Sequence, residues 1–257
     1  MRAGRGLEGR GVSPGLPRTP THMTPLIELR GIVKAYPALR PLRVRLLSVA
    51  AADRLVLRGF DASAAEMFIY LVSGAALPDE GDVLVAGRST RDIATDTEWL
   101  GSLDRFGIVT HRAVLLETMS VAANLALPLT LSIDPMAPET RARVEDEARI
   151  ASLPAATLDQ PVNSLDAEGR LRLHLARAAA TTPALVLLEH PTSQMTDQAA
   201  SARIGETLRT MADARGFGWI ALSEDEAFAS ASGATVLALD GATGELAPPK
   251  RGWRRWL

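Results

Sequence analysis

The 257-residue chain contains no cysteine, which excludes disulfides and thiol chemistry and says nothing about compartment. Lysine is nearly absent: the only two are Lys34 and Lys250, and the basic residues are otherwise arginine. Charge of either sign is not in excess, with a formal net charge of −2, so no global field recruits nucleic acid or an anionic membrane. No apolar run approaches the roughly 18 residues that a membrane span needs. The N-terminal stretch also lacks the apolar core of a signal peptide, so the expected compartment is the cytoplasm. What the chain does have is apolar mass: 47% of its residues are hydrophobic, enough for a sizeable core.

Residues 1–23 are rich in Gly, Pro and Arg without apolar periodicity and are expected to be disordered, with Met23 as a second candidate start. Alternation in Leu26-Ile-Glu-Leu-Arg30 predicts a half-buried edge strand beginning at Pro25. Further strands are expected at 42–49, 54–57, 81–87, 106–110, 184–188, 219–222 and 235–239. The unbroken apolar run of 184–188 marks a strand buried on both faces of a parallel sheet. Helices are expected at 62–73, ended by Gly74, and at 120–129, 137–151, 165–180 and 199–215. The helix around Glu139–Arg149 is strongly charged and is expected to lie on the surface as a solvated face. Strands alternating with helices predict an α/β sheet, and the helices between about 112 and 178 a helical insertion. Residues 248–257 end in a basic, Trp-rich tail that could touch a membrane surface or a permease, or simply fray.

One segment carries chemistry by what has been replaced in it. Leu55-Val-Leu-Arg-Gly59 leads through Phe60, Asp61, Ala62 and Ser63 to Ala64-Ala65-Glu66-Met67 and an apolar helix. This keeps the strand, first glycine, spacing and helix of a phosphate-binding loop, G-x-x-x-x-G-K-[ST]. Ala64 stands for the second glycine, Ala65 for the lysine and Glu66 for the Ser or Thr that holds Mg²⁺. Neither lysine is near enough in sequence for a register shift to restore the motif.

Taken with landmarks further along, the chain resembles the ATP-binding cassette (ABC) ATPase subunit over about residues 24–247. Tyr36 sits where that family has an adenine-stacking aromatic. Gly107-Ile-Val-Thr-His111 matches the strand and loop that normally end in Gln, and Ser120-Val-Ala-Ala-Asn-Leu-Ala-Leu-Pro-Leu129 matches the segment after it. Leu165-Asp166-Ala167-Glu168-Gly-Arg-Leu-Arg resembles the signature, Leu185-Val-Leu-Leu-Glu189-His190-Pro-Thr-Ser193 resembles Walker B, and Ser223-Glu224-Asp225 stands at the switch. The Leu-Pro-Leu segment is similar to lipoprotein-release, macrolide, cell-division and lipid-trafficking members.

The resemblance implies a P-loop NTPase-like three-layer α/β sandwich with an antiparallel β subdomain and a helical insertion. It also implies chemistry that has been lost. His111 replaces the loop Gln, His190 the catalytic Glu and Glu224 the switch His, while Glu189 replaces the Walker B Asp and can still ligate metal. Asp166, Ala167 and Glu168 replace the Ser and Gly groups that would face a partner's γ-phosphate. Family members pair head to tail, so this chain would spoil both halves of its contribution. The expected function is a non-hydrolysing subunit, cytoplasmic and peripheral to the inner membrane. It would hold a membrane permease and pair with an active ABC ATPase paralogue or with itself, without nucleic acid. The groove near His111–Leu129 resembles the seat of a permease's coupling helix. The expected cofactor is none. One alternative is an atypical ATPase taking ATP and Mg²⁺, with the metal held by Glu66 and Glu189. Another is a stand-alone regulator or metal-binding protein using Glu66, His111, Glu189, His190 and Glu224, which the fold should bring toward one cavity.

Overall fold

A computed structural model describes residues 24–249. The expectations for residues 1–23 and for Lys250–Leu257 lie outside that range. The chain opens with strands β1 (Ile27–Lys34), β2 (Leu42–Val49) and β3 (Arg54–Arg58), then helix α1 (Ala62–Ser73), strands β4 (Glu80–Val85) and β5 (Arg88–Ser89), helix α2 (Asp96–Leu103) and strand β6 (Phe106–Val109). The helical insertion follows as α3 (Val121–Ala126), α4 (Pro138–Ile150) and α5 (Ala167–Ala179). The chain then returns through β7 (Leu185–Glu189), α6 (Gln198–Arg215), β8 (Gly218–Leu222), α7 (Glu226–Ser232), β9 (Thr235–Asp240) and β10 (Glu245–Ala247).

The strands form two sheets. One is antiparallel, in the order β2-β1-β4-β5; the other runs β10-β9-β3-β8-β7-β6, parallel from β9 to β6 with β10 antiparallel at its edge. Every residue of β7 and β8 is buried, as an apolar run covered on both faces requires. Successive residues of these strands feed opposite faces. Leu185, Leu187, Ile220 and Leu222 join α1 and the antiparallel sheet in one core. Val186, Leu188, Trp219 and Ala221 join α3, α4, α5 and α6 in a second. Helix α1 therefore lies between the two sheets, and the fold is the three-layer sandwich expected for an ABC ATPase. Among the described residues no helix is long and apolar enough to cross a membrane.

Helix α1 begins and ends where the sequence predicts. Asp61 caps it by accepting the Ala64 N–H at 2.8 Å, and Gly74 closes it in the left-handed conformation, φ 73°. Three expectations are corrected. Strand β1 is not an edge strand: β2 and β4 flank it, and its alternation comes from one solvated sheet face. The helix expected over 120–129 stops at Ala126, with Leu127 as its C-cap one residue before Pro128. Helix α4 is not only a solvated face, because Val144, Glu147, Ala148 and Ile150 are buried, and Glu147 pairs with Arg215 of α6 at 2.8 Å.

Candidate functional site

The turn from β3 into α1 keeps the path of a phosphate-binding loop. Gly59 has φ 85°, and a Cβ built there would stand 2.7 Å from the Leu239 carbonyl of β9. The backbone demands glycine at this point with no ligand invoked. Three of the amides that would greet a phosphate are already engaged. The Gly59 N–H donates to Glu224 Oε1 at 2.5 Å, and the Ala64 N–H is taken by the Asp61 cap. The Ala65 N–H donates to the Asp61 carbonyl at 2.8 Å, and the Ala65 methyl is wholly buried. Ser63 is exposed, and Met67, on α1 itself, packs partly buried against the core.

Glu66 faces across to the next loop. Its Oε1 accepts the Tyr70 hydroxyl at 2.6 Å and pairs with Arg112, whose other terminal nitrogen lies 3.2 Å from Glu189 Oε2. The Glu66 bond and burial raise the Tyr70 hydroxyl's pKa. Glu189, at the end of β7, has a side chain only 1% exposed. His111 Nδ1 stands 3.3 Å from its Oε1, too poorly aligned to donate, and that oxygen has no hydrogen-bond partner. His190 takes φ 42°, an uncommon conformation for a residue with a Cβ, and its Nε2 is buried without a partner. His111, Glu189 and His190 line one cavity of about 380 Å³, closed on the other side by Ala167, Arg170 and Leu171 of α5.

The expected convergence is thus divided. Glu66, His111 and Glu189 meet around Arg112, and His190 shares the cavity of His111 and Glu189. Glu224 instead lines a neighbouring acidic hollow with Asp197, Asp225 and Glu226. Among the described residues no group of three or more His, Asp or Glu is gathered so as to hold a metal ion. Tyr36, half-buried, borders a shallow pocket with Gly59, Asp61 and Ala64; burial, then the charge of Asp61, raises its phenol pKa.

The signature-like segment is closed in the same manner. Asp166 caps α5 by accepting the Gly169 N–H at 2.7 Å, and Leu165 packs on the core. Glu168 binds Arg203 and Arg172, each at 2.6 Å, and the Arg203 bond holds its carboxyl below the usual range. Arg170 grips Glu117 with two bonds of 2.6 and 2.7 Å. Arg170 and Arg172 thus make ion pairs, whereas Arg177 donates to the Val114 carbonyl at 2.7 Å.

These contacts do not fit a magnesium–nucleotide complex. No lysine reaches the loop: Lys34, the one described lysine, binds Asp79 at 2.8 Å. The Gly59 and Ala64 amides are spent on carboxylates, and a guanidinium stands between the two acids that would hold the metal. Sequence reasoning missed Arg112 because it holds no motif position. The available signal was its place beside His111 in a chain so short of lysine.

No family model matches the chain. It is 25% identical over 186 residues to the ABC transporter ATP-binding protein YtrE of Bacillus subtilis, covering 72% of this chain and 78% of that one. It is 27% identical over 212 residues to the lipoprotein-releasing system ATP-binding protein LolD of Alcanivorax borkumensis, covering 80% and 91%. Among solved structures it matches the ATP-binding cassette MJ0796, a dimer in a post-hydrolysis state bound to ADP and Pi. The TM-score is 0.68 at 21% identity, covering 86% of this chain and 96% of that one. It also matches cbiO1 of Clostridium perfringens, part of the ABC transporter complex cbiONQ, with a TM-score of 0.69 at 16% identity over 88% of each chain. By architecture and by sequence similarity across most of its length, the chain's relatives and structural neighbours are the ATP-binding cassette domains of ABC transporters.

Proposed function

We propose that this chain is a non-hydrolysing subunit of an ABC transport or membrane-remodelling complex, and that its work is binding. One observation carries the reading: both surfaces that would meet ATP are occupied by the chain's own side chains. At the loop these are Asp61, Glu224 and Arg112; at the signature segment they are Asp166 and Glu168. Phosphoryl transfer depends on positioned cations and donors, and here Ala65 brings no charge to the loop while Glu224 brings a negative one.

What remains suits a partner. The segment after β6 presents Val114 and Leu116 outward. Behind it Phe106, Ile108, Ala113, Leu127 and Pro128 line a cleft of about 380 Å³ that also holds His174 and Arg177. An amphipathic helix from a permease is the occupant such a groove accepts. The far end of the segment is held firmly, since buried Asn124 accepts the Leu116 N–H at 2.8 Å and donates back to its carbonyl. The partners proposed are a membrane permease and an active ABC ATPase or a second copy, on the cytoplasmic side of the inner membrane.

The test is nucleotide binding and turnover by the purified chain. Calorimetry with ATP, with and without Mg²⁺, should give no heat of binding. Any ATPase activity should survive Glu189→Ala and so belong to a contaminant. Turnover abolished by Glu189→Ala would overturn the proposal in favour of the atypical ATPase.

A further inference from the structure

The Arg112 guanidinium joins two carboxylates that belong to different elements, Glu66 on α1 and Glu189 at the end of β7. Its Cζ stands 5.4 Å from the centroid of the Tyr70 ring, whose hydroxyl is itself bonded to Glu66. A carboxylate as deeply buried as Glu189 requires a counter-cation. Two acids and an aromatic face make a niche that a flat guanidinium fills well. The same two acids, oxygen donors on opposite walls, are ligands of the type that hold Mg²⁺ or Mn²⁺.

Arg112 also sits on the segment between β6 and α3 that displays Val114 and Leu116. Asn124 and Arg177 fix the later part of that segment, at Leu116 and Val114. At its beginning, what crosses to α1 and β7 is the pair of ion pairs made by Arg112 and the close approach of His111 to Glu189, and His111 is more than half exposed.

We propose that Arg112 is the resident cation of the Glu66–Glu189 niche. It takes a position that a divalent metal would otherwise take, and in doing so holds residues 111–113, the start of that segment, in place without any ligand. This stands on the geometry of the niche and is independent of whether the chain serves a permease.

The test uses the full chain and Mn²⁺ as the probe, read by its electron paramagnetic resonance signal, together with hydrogen exchange over residues 111–113. Arg112→Ala should quicken exchange there roughly tenfold or more, as loss of a partly buried ion pair predicts. It should also tighten Mn²⁺ binding at least roughly tenfold over the wild type, a gain that adding Glu189→Gln removes. Unchanged exchange, or Mn²⁺ binding no tighter than in the wild type, overturns the assignment. Glu66→Gln leaves Glu189 paired and tests the same tie more gently if Arg112→Ala folds poorly. It should quicken exchange over the same residues several-fold, and exchange at the wild-type rate would refute the tie.

Discussion

Gly59 is the glycine that survives from the phosphate-binding motif, and its retention can be tested without any phosphate. In Gly59→Ala the new methyl meets two separate obstacles. The backbone at φ 85° is left-handed, which costs an L-residue about 1–2 kcal/mol. The Cβ would also stand 2.7 Å from the Leu239 carbonyl, so β9 or the loop must shift, at about 1–3 kcal/mol for an overpacked site. The two together come to about 2–5 kcal/mol. For a domain of this size each kcal/mol lowers Tm by about 2–4 °C, so a fall of about 4–20 °C is expected. Gly216→Ala isolates the first obstacle. Its φ is 75°, but nothing lies within 4 Å of the added carbon, so only the backbone cost of about 1–2 kcal/mol applies. Thermal unfolding of the ligand-free protein by calorimetry or circular dichroism reads both variants. If Gly59→Ala is as stable as the wild type, or no worse than Gly216→Ala, then the path of the chain does not explain the glycine.

Two further measurements probe burial of charge. Glu147 is buried and depends on Arg215, while its Oε2 has no hydrogen bond. Arg215→Met should therefore cost about 3–5 kcal/mol in denaturant unfolding, and the double variant with Glu147→Leu should recover most of it; no recovery would refute the account. Burial, followed by the charges of Arg177 and Arg170, lowers the His174 pKa from 6.5 to about 4. Between those values the unfolded chain takes up a proton that the folded chain refuses. Stability from this group is complete above pH 6.5 and is lost as the pH falls toward 4. His174→Leu should flatten the stability profile in that window, and an unaltered slope would refute the assignment. The carboxyls of Glu117, Asp146 and Glu168 are held below their usual range by Arg170, Arg215 and Arg203. Their contribution is lost only as the pH falls further.

The sequence was most legible where a local signal and a buried face agreed. Asp61 and Gly74 bracket α1 to the residue, and the apolar run of β7 declares a strand covered on both sides. Helix α2 escaped notice because none of its residues is buried, so no apolar stripe exists to be found. Helix α7, with seven residues, is too short for periodicity to register. The motif positions named the walls of the site, since Glu66, His111, Glu189 and His190 do come near one another. What they could not give was the occupant. The Arg112 bridge joins residues 46 and 77 positions away, and a contact at that distance leaves no local pattern. The same holds for Glu147, whose partner lies on another helix and which reads in sequence as one more surface charge.

The parallel sheet has a consequence for how this molecule comes apart. Adjacent residues of β7 and β8 serve different cores, Val186 one and Leu187 the other, Trp219 one and Ile220 the other. The sheet is a shared wall, and neither chamber can empty while the wall stands. The antiparallel sheet and α1 on one side, and the helices α3 to α6 on the other, should melt together in one transition despite their different architectures. Strain applied at the outward-facing groove beside α5 would then be borne by the whole body, as a lever is borne by its mounting.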